Sequence, residues 1–258
     1  MNVYYHALVM EYYGKNYCGW QKQFHTPSVQ EAIEQALSQI ADQPVNTVCA
    51  GRTDSGVHAT GQVLSFETNT KRPLRAWQFG VNALLPVDIK VVAAYYVDKN
   101  FNARLSALYR RYNYLIYQRK IPSALFSGNS TWIPYTLDIN QMNRACQYLL
   151  GEQNFSAFRS SQCQSKSTFR NIHHAFFKQK EEHIIFDIQA NAFLHHMVRN
   201  IVGTLIEIGR GQKSPIWIKN LLWQKDRKKS GKTAPAKGLY LVSVGYPQIY
   251  RIVARNIL

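Results

Sequence analysis

Apolar positions along the chain recur with two periods, alternating in some stretches and spaced three and four apart in others. Val3 to Tyr12 is apolar and aromatic and reads as a strand. Ser28-Val29-Gln30-Glu31 has the form of a capping box, and Val29, Ile33, Ala36, Leu37 and Ile40 follow at helical spacing. A helix is therefore predicted from Ser28 to about Ala41, closed by Pro44. Pro73 suits the first turn of a second helix, with Leu74, Trp77, Val81 and Leu84 on its apolar face and Pro86 as its stop. Ile89 to Val97 then reads as a strand.

Tyr109 to Gln118 is a predicted strand on which Tyr112, Tyr114 and Ile116 alternate with Arg111, Asn113, Leu115 and Tyr117. Asp138 can cap a helix carrying Met142, Cys146 and Leu149, stopped by Gly151. Phe169 to Lys178 and His183 to Ala190 form a predicted hairpin. Phe193, Met197, Ile201, Leu205 and Ile208 repeat at helical spacing and end at Gly209 and Gly211. Ser214-Pro215 opens another helix, and Leu239 to Val244 is a last strand. Strands and helices do not alternate strictly. That favours an α+β fold with largely antiparallel sheet over a parallel doubly wound one. A boundary is expected near Phe101 to Leu108, giving domains 1–104 and 105–258.

Composition narrows the class. The 258 residues suit one large domain or two of about 130 residues, and 46% are apolar, so the chain is globular. Lys and Arg number 31 against 15 Asp and Glu, a net charge of +16. Such an excess draws polyanions; nucleic acid is the leading partner and an anionic membrane surface the second. The most apolar run, Phe79 to Val97, is broken by Pro86, Asp88 and Lys90 and is not a membrane span. Met1 to Met10 has no basic n-region or apolar h-region, so no signal peptide is expected. Cys18, Cys49, Cys146 and Cys163 make no C-x-x-C pair, which leaves free thiols and a reduced, cytoplasmic protein as the simplest expectation.

Candidate chemistry gathers in a few stretches. Gly51-Arg52-Thr53-Asp54-Ser55-Gly56-Val57-His58-Ala59 places one carboxylate in a tight turn between two glycines, with strand-like residues on both sides. Read bottom-up, the stretch is either an ordinary turn or a catalytic loop. P-loop and G-x-G-x-x-G patterns are missing, so neither ATP nor a dinucleotide is expected. His173-His174 and His195-His196 lack metal-ligand spacing, and no metal is expected. Tyr109-Arg110-Arg111-Tyr112-Asn113-Tyr114 interleaves guanidinium groups, which reach phosphates, with rings that stack on unpaired bases. A strand with an aromatic core face and a solvated basic face fits the same pattern. Lys225 to Lys237 is a basic loop with either a phosphate-gripping or a solvated role. Arg199, on an apolar helix, either snorkels or is a buried guanidinium needing a carboxylate.

Several of these stretches together resemble the tRNA pseudouridine synthase A family. The matching blocks are Tyr17-Cys18-Gly19-Trp20-Gln21-Lys22-Gln23 with Ser28-Val29-Gln30, the Gly51–Ala59 run, Phe101-Asn102-Ala103-Arg104, and Arg110-Arg111-Tyr112-Asn113-Tyr114. Asn191 to Asn200 and Gly238-Leu239-Tyr240-Leu241 complete the set, which spans residues 10 to 246 or so. Ser55 stands where many members have alanine, and Ser28 where many have threonine. The resemblance implies an isomerase that turns uridine into pseudouridine in the anticodon stem-loop of tRNA, at positions 38 to 40, without cofactor or metal. It implies two α/β domains with a shared, largely antiparallel sheet, an active-site cleft between them, and a homodimer. It implies Asp54 as nucleophile, Arg199 as its ion-pair partner, and Tyr112 stacked on the base as a possible proton acceptor. Arg52 is implied in nucleotide flipping, and Leu239 packs on the target base. Arg110, Arg111 and His58 are expected to bind substrate. Attack at the ribose C1′ and attack at the base C6 are both open to Asp54. Rival readings are a non-catalytic RNA-binding protein, an RNA hydrolase and a DNA-binding regulator. The last lacks a helix-turn-helix or finger, and the hydrolase lacks a carboxylate cluster.

Overall fold

In the computed structural model, which describes residues 2–253, both periods resolve into elements at nearly the expected places. Their order is β1 (Tyr4–Tyr12), α1 (Val29–Ala41), β2 (Val48–Cys49), β3 (His58–Thr68), α2 (Val81–Leu84) and β4 (Ile89–Tyr96). These are followed by β5 (Tyr109–Gln118), β6 (Thr131–Ile133), α3 (Ile139–Cys146), β7 (Gly151–Asn154), β8 (Phe169–Lys180) and β9 (His183–Ala190). The last elements are α4 (Met197–Gly209), α5 (Trp217–Gln224) and β10 (Leu239–Gly245). The strand pairs within each unit described below are antiparallel, except for β10 on β3 and β6 on β5.

Two compact units emerge, Met1–Tyr109 with Tyr240–Leu258, and Arg110–Leu239. The sequence division kept 105–258 together. The contacts instead return the last strand to the first unit, because Tyr240 and Leu241 pair with His58 and Ala59. A strand joins the sheet whose open edge it satisfies, whatever its distance along the chain.

In the first unit β1 lies between β3 and β4, with Leu8 opposite Leu64 on one side and Ala94 on the other. Ser28 caps α1 by accepting from the Glu31 amide at 3.3 Å, as its capping box requires. Val29, Ile33, Ala36 and Leu37 of α1 are buried. Asp42 ends the helix in the left-handed region, φ 54°. The second helix differs from expectation. Ala76–Gly80 winds as a π turn before α2, and Leu85 is buried while Leu84 is 45% exposed. The i→i+5 bonding widens the turn, so positions four apart, Trp77, Val81 and Leu85, line up on one face.

In the second unit β5 pairs with β9 (Tyr114 opposite Phe186), β9 with β8, and β8 with β7. The β8–β9 hairpin turns at Glu181, φ 54°. Asp138 caps α3 by accepting from the Gln141 amide at 2.9 Å. Met142 and Cys146 of α3 and Ile201, Leu205 and Ile208 of α4 are fully buried core. Phe193 was expected on the face of α4. It lies before the helix, because His196 takes a left-handed conformation, φ 62°, that a continuing helix cannot include. None of the helices among the described residues is long and apolar enough to cross a membrane.

Candidate active site

Asp54 is half-buried in the tight turn that leads into β3. The turn closes on itself through the Val57 amide, which donates to the Asp54 carbonyl at 3.1 Å, and Gly56 takes φ +76°. The segment after β1 grips it by backbone. The Trp20 amide donates to the Thr53 carbonyl at 3.0 Å, and the Gly56 amide to the Tyr17 carbonyl at 3.4 Å. Gly19 has φ +94°, and a Cβ there would stand 2.7 Å from the Thr53 carbonyl oxygen. Only glycine satisfies both the conformation and the approach. Gly14 repeats the device: its Cβ would fall 1.9 Å from the Val57 carbonyl oxygen. Across the turn, the Tyr12 hydroxyl and Thr53 Oγ1 share a hydrogen bond of 2.7 Å. The buried Gln62 amide donates to the Gly51 carbonyl at 2.6 Å. Tyr17–Gln23 and Gly51–Ala59, two separate blocks in the sequence, are thus one clamp and the carboxylate it holds.

Arg52 points to solvent. Burial pushes the nearby Cys49 thiol up to about 12, opposed by the charges of Arg52 and Arg104. Both guanidiniums therefore act on the same end of the first unit, and Arg104 is a site candidate that the sequence reading did not assign. His58, expected to bind substrate, is 1% exposed. Its ring is sandwiched between Tyr13 at 4.6 Å and Tyr240 at 4.7 Å, and Nδ1 accepts from the Gly14 amide at 3.0 Å. That environment makes His58 a support for the start of β3; its burial leaves almost no surface for a ligand.

In the second unit Tyr112 lies on β5, buried, with its ring edge-to-face against Phe193 at 5.1 Å. This explains why Phe193 leaves the helix: it packs on Tyr112 and fixes the ring. Arg110 donates to the Asn191 carbonyl at 3.0 Å, tying β5 to the segment before α4. Arg111 grips Asp187 on β9 through both carboxylate oxygens, with Nε 2.8 Å from Oδ1. His174 Nε2 lies 2.8 Å from the same Oδ1. Burial would raise the Asp187 pKa; hydrogen bonds from Arg111 and His174 outweigh it and hold the carboxyl below its ordinary value. Asp187 went unassigned in the sequence, since a strand acid shows nothing of its cross-strand neighbour. His173 Nδ1 is 3.1 Å from the Gln189 amide, and the rings of His195 and His196 lie 4.0 Å apart.

Arg199 stands half-buried in the first turn of α4. Its Nε donates to the Ala234 carbonyl at 2.8 Å, and the Ala234 amide returns a bond to the Arg199 carbonyl at 3.1 Å. Tyr114 on β5 feels the Arg199 charge, though burial prevails and raises its hydroxyl pKa. Gly238 brings the chain close to β5, where a Cβ would stand 2.8 Å from the Leu115 carbonyl oxygen. Leu239 follows it and is 5% exposed. The arrangement offers a rigidly held carboxylate in one unit, and a ring and a guanidinium in fixed positions in the other.

A family model described as tRNA pseudouridine synthase matches residues 8–105 and 145–247. The chain is 56% identical over 243 residues to a protein named tRNA pseudouridine synthase A from Francisella tularensis subsp. tularensis strain SCHU S4, covering 94% of each chain. Proteins of the same name from Francisella tularensis subsp. novicida strain U112 and Francisella philomiragia subsp. philomiragia are 55% and 52% identical, with the same coverage.

Proposed function

The chain belongs to the tRNA pseudouridine synthase family, and from that membership we propose how it works and where on tRNA it acts. It is an isomerase that converts uridine in tRNA to pseudouridine. Its targets are uridines of the anticodon stem-loop at positions 38 to 40, as the family resemblance implies. The bond from ribose C1′ to N1 breaks, the base turns, and a bond from C1′ to C5 forms. The proton on C5 leaves and N1 gains one, so the reaction balances without a redox partner or a co-substrate.

Asp54 is the nucleophile, and the observation that carries this is its turn. A carboxylate in a half-buried turn, clamped by Gly19 and Trp20 on one side and by Tyr12 and Gln62 on the other, keeps its position when substrate arrives. Arg199 is its ion-pair partner, as the family resemblance implies. Tyr112 stacks on the uracil and takes the C5 proton; its edge-to-face contact with Phe193, which steadies the ring, supports this reading. Leu239 packs on the base. The target base must leave the stack, and Arg52 holds the extruded nucleotide by its backbone, while Arg104, whose charge also reaches Cys49, adds to the positive potential there. Arg110 and Arg111 contribute positive potential along β5, Arg111 less, because Asp187 already neutralises it. The working state is a cytoplasmic homodimer, which sedimentation of the purified protein checks by mass.

The test uses an unmodified tRNA transcript with uridines in its anticodon arm, without nucleotide cofactor and with chelator present. Pseudouridine is mapped by carbodiimide labelling and reverse-transcription stops. New stops in that arm are expected, and Asp54→Asn removes them while leaving tRNA affinity within about threefold, since phosphate contacts dominate binding. Stops elsewhere would overturn the site assignment. Full turnover by Asp54→Asn would overturn the nucleophile.

A further inference from the structure

The basic loop after α5 was the one charged segment without a role, and its arginine does not face solvent phosphate. Arg227 is half-buried, and every hydrogen bond of its guanidinium goes to a neutral acceptor. Nη1 donates to Ser230 Oγ at 2.8 Å and to the Gly231 carbonyl at 3.0 Å. Nη2 donates to Thr233 Oγ1 and to Asn200 Oδ1, both at 2.9 Å. Burial lowers its pKa. A half-buried cation with only neutral partners is a costly choice, and an apolar residue would fill the space more cheaply. What the guanidinium provides is its fork, which ties Ser230, Gly231 and Thr233 of the loop to Asn200 on α4.

Asn200 is the other half of the knot. It is 1% exposed and follows Arg199 directly. Its Oδ1 accepts from Arg227 and, at 2.7 Å, from the Thr233 hydroxyl; its Nδ2 donates to the Phe158 carbonyl at 2.8 Å. The loop also lies directly on α4. A Cβ on Gly203 would fall 1.7 Å from the Lys232 carbonyl oxygen, and the Gly231 amide donates to Thr204 Oγ1 at 3.0 Å. One residue past Thr233, the Ala234 carbonyl holds Arg199 Nε at 2.8 Å. The chain of contacts therefore starts at Asn200, runs through Arg227 and Thr233, and returns to the guanidinium of its own neighbour.

We propose that Arg227 and Asn200 are positioning residues for the uridine isomerisation: they lock the 227–234 loop on α4, so that the Ala234 carbonyl aims the Arg199 guanidinium. This rests on the catalytic reading of Arg199 given above. It divides the loop into a structural arginine and the exposed Lys229 and Lys232, which remain available to phosphate.

The test measures kcat and KM for tRNA with the full-length protein, alongside the melting temperature. Arg227→Gln is expected to lower kcat up to about 100-fold, the scale of a 1 Å misplacement, with KM within about twofold. Arg227→Lys, which keeps the charge and loses the fork, is expected to restore little. Thr233→Val, a smaller change for use if Arg227→Gln unfolds, is expected to lower kcat about tenfold by the same route. In an Arg199→Lys background, Arg227→Gln and Thr233→Val are each expected to cost almost nothing more. Additive losses in that background overturn the proposal. So does a raised KM with unchanged kcat, which makes Arg227 a tRNA contact. If Arg199→Lys alone keeps full kcat, the catalytic reading of Arg199 fails. If Arg199→Lys loses kcat while Arg227→Gln and Thr233→Val do not, only the positioning fails.

Discussion

The turn carrying Asp54 and the helix start carrying Arg199 differ in how much of their grip comes from side chains. Around Asp54 the grip is mainly backbone on backbone: Gly19 and Gly14 bring main chain within a distance that excludes a Cβ, and amides of Trp20 and Gly56 close the contacts. Around Arg199 a backbone approach at Gly203 is joined by a side-chain network, with Asn200, Arg227 and Thr233 meeting at one shared oxygen. A backbone clamp has few degrees of freedom and fails all at once. A side-chain network is adjustable and can be loosened by one group at a time. The proposed nucleophile sits on the stiffer device, and the guanidinium proposed to pair with it on the tunable one.

The largest expected break in this comparison is Gly19→Ala. It demands a positive φ of an L residue and drives a methyl into the Thr53 carbonyl, so about 3 kcal/mol of stability and nearly all turnover should be lost together. Thermal melting and turnover on one preparation check it; lost activity with an unchanged melt would show that the turn adapts.

Buried polar groups away from the turn sharpen the contrast. His6 on β1 is fully buried against Phe66, at 5.0 Å and nearly parallel, and neither ring nitrogen makes a hydrogen bond of normal geometry. Burial lowers its pKa to about 4, against a raising influence of the Tyr4 backbone. The unfolded chain takes up this proton near pH 6.5 and the folded chain only near pH 4. Stability should therefore fall as pH drops through that window, by roughly 3 kcal/mol in all. His6→Phe is expected to be more stable by about 1 kcal/mol at neutral pH, and to flatten this part of the pH profile. Denaturant melts at pH 7, 5.5 and 4 measure both, and an unchanged profile in His6→Phe would assign the acid sensitivity to another group.

The smallest expected effect is that of Tyr12→Phe. It removes the hydroxyl on Thr53 but leaves the backbone clamp intact, so about 1 kcal/mol and a modest loss of kcat are expected. If it proves as damaging as Gly19→Ala, the Asp54 turn is held by polar side chains after all and the two regions do not differ.

Much of this was legible in the chain, for reasons that are local. The Ser28 cap, the stripe of α1, the extent of β5 and the hairpin turn at Glu181 each follow from a few neighbouring residues and stand where the pattern put them, whereas both faces of β5 carry buried residues, Asn113 and Tyr117 among them. The glycines beside Asp54 could be read as a turn, and the motif blocks could be read as a family. The burial of His58 between Tyr13 and Tyr240 could not be read, nor could the pairing of Arg111 with Asp187. Both depend on partners that sequence distance conceals. The last strand is the clearest case: nothing near residue 240 says that it will pair with His58.

Residue type and spacing thus settled most of the longer helices and strands, but not the short β6 and β7 or the π turn at Ala76–Gly80, and they settled which carboxylate sits in a glycine turn. Those outcomes depend on backbone dihedrals and on faces within one element. The tertiary structure alone decided which guanidiniums are already neutralised, which histidine is buried, and which loop holds Arg199 in place. Those outcomes depend on desolvation and on hydrogen-bond geometry between segments far apart in the chain, and they exist only once the segments have packed.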